Sequence, residues 1–98
     1  DIARGIVIAS LSDKSLNEDF NIGTNKETKM IELAKMLWDI CKMKESFKVK
    51  YVSGFKHDIK RRVPDVSKIS KILGFSPEIE LIEGLREYVD WYRTKSLK

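Results

Sequence analysis

The sequence predicts a small mixed α/β domain of about four helices and two or three short strands, and three observations carry that reading. Apolar residues recur at helical spacing in four stretches. Two short runs, DFNIG and KVKYV, instead alternate and are rich in β-forming side chains. Along the chain the two kinds follow the order helix, strand, helix, strand, helix, helix. At 98 residues the chain is one domain at most, and a domain of that size buries only somewhat more than ~60% of the surface its unfolded chain exposes. A hydrophobic share of 42% makes a modest core feasible.

The elements follow in order. Ile2, Ile6 and Ala9 share one helical face, so Asp1 to Leu11 reads as a short helix. Residues 12–19, SDKSLNED, form a polar connector. Asp19 to Gly23 places Phe20 and Ile22 on one side and reads as a strand ending at a glycine. After a turn over Thr24 to Glu27, Thr28 is the expected N-cap of a helix from Lys29 to about Lys44. Met30, Ala34, Leu37, Trp38 and Cys41 form its face, broadened by Leu33, Met36 and Ile40. Lys48 to Val52 is the second strand, and Ser53 to Lys60 is a loop around Gly54. Arg61 to Pro64 is extended, because the residue before a proline is pushed out of helical space. Asp65 caps a helix over Val66 to Leu73 with Ile69, Ile72 and Leu73 inward, and Gly74 is the left-handed residue that closes it. A last helix runs from about Glu80 to Thr94 and buries Leu81, Leu85, Val89 and Tyr92, with Tyr88 and Trp91 at the margin.

Composition excludes several classes. Cys41 is the only cysteine, which rules out an intrachain disulfide and a cysteine-based zinc site and fits a reducing compartment, most simply the cytoplasm. No run approaches the ~18 apolar residues of a membrane span. The opening DIARGIVIASL reads as the inside of a helix, so the chain is expected to be a piece of a longer protein. Charged residues make up 35% and the net charge is +4, which fits either a solvated surface or a patch that meets an anion.

A catalytic constellation is not found. His57 is the sole histidine, so neither a histidine-paired nucleophile nor a multi-histidine metal site can be built. Cys41 falls on the apolar face of the long helix and reads as an inert packed thiol. Gly5, Gly23 and Gly54 lack phosphate-loop spacing. Lys48, Lys50, Lys56, Lys60, Arg61 and Arg62 gather around the second strand with Tyr51 and Phe55 among them, an unspecific nucleic-acid pattern. The sharpest feature is the adjacent pair Arg61 and Arg62 just before Val63-Pro64-Asp65. A guanidinium presents a planar fork of donors that suits phosphate oxygens. The same pair could instead anchor the fold by pairing with acidic neighbours such as Asp58 or Asp65.

Four segments resemble the C-terminal third of the extended short-chain dehydrogenase/reductase family, NAD-dependent sugar-nucleotide epimerases and dehydratases. They are DIARGIVIAS, FNIGTNKETKMIELAKML with its "NIG" and "ELA", DIKRRVPDVSKISKILGFSP with its "RR-x-PD-x-SK…LG", and EGLREYVDWY. They fall in the family's order between residues 1 and 92, so the resemblance extends along nearly the whole chain. The resemblance implies that residues 1–98 are a C-terminal sugar-nucleotide-binding portion, whose N-terminal Rossmann domain, with its glycine-rich NAD site and Tyr-x-x-x-Lys pair, is absent. It implies no catalytic, cofactor or metal residue in this segment, NAD in the parent enzyme, and a nucleoside-diphosphate sugar as ligand. By position Arg61 and Arg62 match the family's paired arginines, with Arg62 the first choice for a substrate contact. Met30 stands where some members place a polar nucleotide contact, and Phe55 where many have a phosphate-binding arginine, so there the sequence departs from the pattern. The rival readings are a small basic nucleic-acid-binding module and a regulatory interaction domain.

Overall fold

The computed structural model describes residues 1–96. Its elements are helix α1 (Ile2–Leu11), a 3₁₀ turn (Asp13–Ser15), α2 (Met30–Ile40), α3 (Ser67–Leu73) and α4 (Leu81–Ser96). Among the described residues there is no strand, which overturns the expected α/β class. The chain divides into two compact units, the first built from residues 1–27 and 61–79, the second from residues 28–60 and the chain from residue 80 onward.

In the first unit, α1 is stitched to the segment after α3. The Asp1 carboxylate accepts from the backbone amides of Glu78 and Ile79 at 3.1 and 2.9 Å. Arg4 donates to the Ser76 carbonyl at 2.6 Å and pairs with Asp1 at 3.2 Å, and its guanidinium lies 4.6 Å from the centre of the Phe75 ring. The helix approaches closely because position 5 is glycine: a Cβ there would stand 3.1 Å from Ile22 and 3.2 Å from Phe75. Phe75 and Ile69 are the fully buried side chains. Only Gly5 of α1 is buried, so Ile2 and Ile6, expected on an inward face, lie about half exposed.

Helix α3 begins one residue later than expected, at Ser67, with the Asp65 carboxylate accepting from the Ser67 amide at 2.9 Å. Its end is as expected: Gly74 is left-handed, φ 65°, and donates to the Ser70 carbonyl at 3.0 Å. Lys68 on α3 grips Glu18 and Asp19 at 2.9 and 2.8 Å, with its ammonium 5.5 Å from the Phe20 ring centre. Facing Lys68 holds the Asp19 carboxyl below its ordinary pKa, and the two carboxylates raise that of Lys68.

The expected first strand, Asp19 to Gly23, is an irregular segment. A strand exists only through a backbone ladder to a partner, and here the segment is held by side chains. Ile22 packs toward Gly5, the Asn21 amide donates to the Asp65 carbonyl at 3.2 Å, and Gly23 approaches Pro64.

The second unit pairs α2 with α4. Helix α2 starts at Met30 with Lys29, not Thr28, at the N-cap position, and the Glu32 carboxylate accepts from the Lys29 amide at 3.0 Å. It stops at Ile40, short of the expected Lys44, because Lys42 turns left-handed at φ 53°. Cys41 therefore lies just past the helix and is only partly buried. The Trp38 indole donates to the Glu45 carbonyl at 3.1 Å and meets Phe47 edge-on, and Arg93 donates to the Cys41 carbonyl at 3.1 Å. Val89 is the buried residue of α4, whereas Leu81 and Tyr92 are exposed, contrary to expectation. The expected second strand, Lys48 to Val52, has no ladder partner, and Tyr51 and Val52 stand exposed.

Candidate anion-binding site

The first unit brings residues 21–27 and 61–65 alongside one another in opposite directions. Asn21 reaches Asp65, Gly23 faces Pro64, and Glu27 meets Arg61. These tethers are made by side chains and by the close approach of Pro64. The Arg61–Glu27 pair is a two-point fork: Nε donates to Oε1 at 2.9 Å and Nη2 to Oε2 at 3.0 Å. It raises the Arg61 pKa above its ordinary value, through the hydrogen bonds and the charge of Glu27.

The two arginines therefore part company. Arg61 is paired, through Glu27 rather than the expected Asp58 or Asp65. Arg62 is exposed and, among the described residues, has no hydrogen-bond or ion-pair partner. Asp65 is occupied by Ser67, whose side chain and amide hold its carboxyl below the ordinary range. An open pocket of about 280 Å³ in the same unit is lined by Gly23, Asn25, Ser67, Ser70, Phe75 and Pro77 among others, and neither arginine lines it.

The remaining sequence candidates lie in the second unit. Phe55 is 91% and Met30 72% exposed, and His57 is exposed as well. Among the described residues no group of His, Cys, Asp and Glu could hold a metal ion, and no helix is long and apolar enough to cross a membrane. Glu27 is the residue that sequence reading missed. The spacing puts Glu27 in a turn, and no local pattern links it to an arginine 34 positions on.

The similarities to known proteins fall among nucleotide-sugar dehydratases and decarboxylases. Over 93 residues, 95% of this chain, it is 32% identical to the dTDP-glucose 4,6-dehydratase of an Actinoplanes species. It is 30% identical over 91 residues to the UDP-N-acetyl-alpha-D-glucosaminuronate decarboxylase of Bacillus cytotoxicus, and 37% identical over 81 residues to the dTDP-D-glucose 4,6-dehydratase of Mus musculus. The chain spans 28% of the length of the first two and 22% of the third. No protein-family model matches the chain, and no solved structure matches it significantly. The relatives support the resemblance to the extended short-chain dehydrogenase/reductases over the region they share with this chain.

Proposed function

We propose that this chain is the C-terminal, sugar-nucleotide-binding portion of an NAD-dependent nucleoside-diphosphate-sugar epimerase, dehydratase or decarboxylase of the cytoplasm, and that Arg62 contacts the substrate diphosphate. NAD and the catalytic residues belong, in this reading, to an N-terminal Rossmann domain. The observation that carries it is the unpartnered guanidinium of Arg62 in a segment where Arg61 and Asp65 are already engaged. A guanidinium is more weakly hydrated than an ammonium, and its bonds to phosphate are charge-assisted. The half-exposed apolar residues of α1, Ile2, Ile6 and Val7, support the docking of further polypeptide on that helix. The test is Arg62→Ala in the full-length protein, titrated with UDP-glucose and dTDP-glucose by calorimetry. Affinity should fall about tenfold or more, while the melting temperature stays within a degree or so. An unchanged affinity refutes the role of Arg62.

A second reading draws on the exposure of Tyr51 and Phe55 among Lys48, Lys50, Lys56 and Lys60. A nucleic-acid binder would take oligonucleotides with an affinity that drops steeply as salt rises. Salt-insensitive or absent oligonucleotide binding removes it.

A further inference from the structure

We propose that Glu27 is a positioning residue for the anion site, holding the chain so that Arg62 presents its guanidinium to a diphosphate. The inference rests on the reading of Arg62 as the diphosphate contact.

Arg62 lies between anchored neighbours. On its C-terminal side Pro64 faces Gly23, and the Asp65 carbonyl accepts from Asn21. On its N-terminal side the Arg61–Glu27 fork, at 2.9 and 3.0 Å, ties the segment to residues 21–27. Residue 61 is also where the chain re-enters this unit, so losing the fork loosens that end. The fork uses two of the five guanidinium N–H donors of Arg61 and both carboxylate oxygens of Glu27. A two-point contact fixes orientation as well as distance. Arg62 pairs with no group among the described residues, so committing Arg61 to Glu27 leaves the second guanidinium clear of that carboxylate.

Glu27 also opposes binding, because its charge repels phosphate. That repulsion acts through water between exposed groups and fades as salt rises, whereas orientation does not depend on salt in that way. Pre-ordering a long side chain and its backbone changes affinity by about two- to tenfold. The expected effect of losing the fork is a fall of that size that persists at high salt.

The experiment is a titration of UDP-glucose against the full-length protein and four variants at 50 and 500 mM salt. Glu27→Ala and Arg61→Glu should each weaken binding about two- to tenfold. The exchanged pair Glu27→Arg with Arg61→Glu should restore it, because the fork is rebuilt with its ends swapped, and melting temperatures of the single variants within a few degrees of the parent separate lost orientation from lost stability. Arg62→Ala should weaken binding more than either single change. If Arg62→Ala has no effect, the diphosphate reading itself fails. If Arg62→Ala weakens binding while Glu27→Ala leaves it unchanged or tightens it, or the exchanged pair does not rescue, the positioning role alone is overturned.

Discussion

Phe75→Ala should cost the first unit much of its stability. The ring is 2% exposed, and with Ile69 it makes up the fully buried side chains of the molecule's described part. It fills the space left by the missing side chain at Gly5, 3.2 Å from where a Cβ would stand, and carries the Arg4 guanidinium at 4.6 Å. Core phenylalanine-to-alanine changes cost about 3–5 kcal/mol, and the lost cation–π contact adds about 0.5–1 kcal/mol. At roughly 0.05–0.15 kcal/mol per residue, a chain of this length holds only about 5–15 kcal/mol in all. The change therefore removes a third of the stability or more at the middle of that range. The readout must be chosen by unit. Trp38, Trp91, Tyr51, Tyr88 and Tyr92 all lie in the second unit, so intrinsic fluorescence is blind to the first. Urea unfolding followed by far-UV circular dichroism, with amide exchange resolved for α1 and α3, reports it directly. A loss below about 1 kcal/mol with exchange unchanged in α1 and α3 would mean that Phe75 does not hold this unit together.

Three further outcomes follow from the same geometry. Gly5→Leu forces a side chain into the space shared by Ile22 and Phe75, where even a Cβ stands at 3.1–3.3 Å; urea unfolding should show at least about 1–3 kcal/mol of destabilisation, and a stabilised variant would contradict the packing. The Ser15 hydroxyl is buried without a hydrogen-bond partner among the described residues, so Ser15→Ala should leave the melting temperature unchanged or raise it, and a clear fall would reveal a partner. The Lys68 cluster makes the acid limb of stability predictable: Asp19 is depressed below 3.8, so its contribution is complete above that value and lost as pH falls through the lower folded one. The Lys68 contribution lasts until pH rises above 10.5 toward its raised folded value, so Lys68→Met should flatten both limbs of a melting-temperature profile and leave only a constant offset between.

Features written in neighbouring residues could be read directly. Gly74 closes α3 because only a residue without a Cβ reaches φ 65° freely, and Asp65 holds the start of that helix through an amide two residues away. The four helices were legible because helical hydrogen bonds join residues four apart, so each stretch carries its own signal. The ends of α2 were less so, since Thr28 and Lys29 are both adjacent to the first turn and the left-handed Lys42 has no glycine to announce it.

What the sequence by itself determined about this protein is local: helical stretches, the Gly74 stop and an arginine pair placed before a proline. Whether DFNIG and KVKYV became strands was not theirs to decide, because a strand needs the backbone of another segment, and β propensity describes only how well a side chain suits such a surface once it exists. The fate of the arginines was equally non-local. Adjacent and chemically identical, they were separated by Glu27, 34 residues upstream of Arg61, which took one as an anchor. Only the folded chain brings that carboxylate within 3 Å, and so only the tertiary structure leaves Arg62 without a partner among the described residues while its neighbour is engaged.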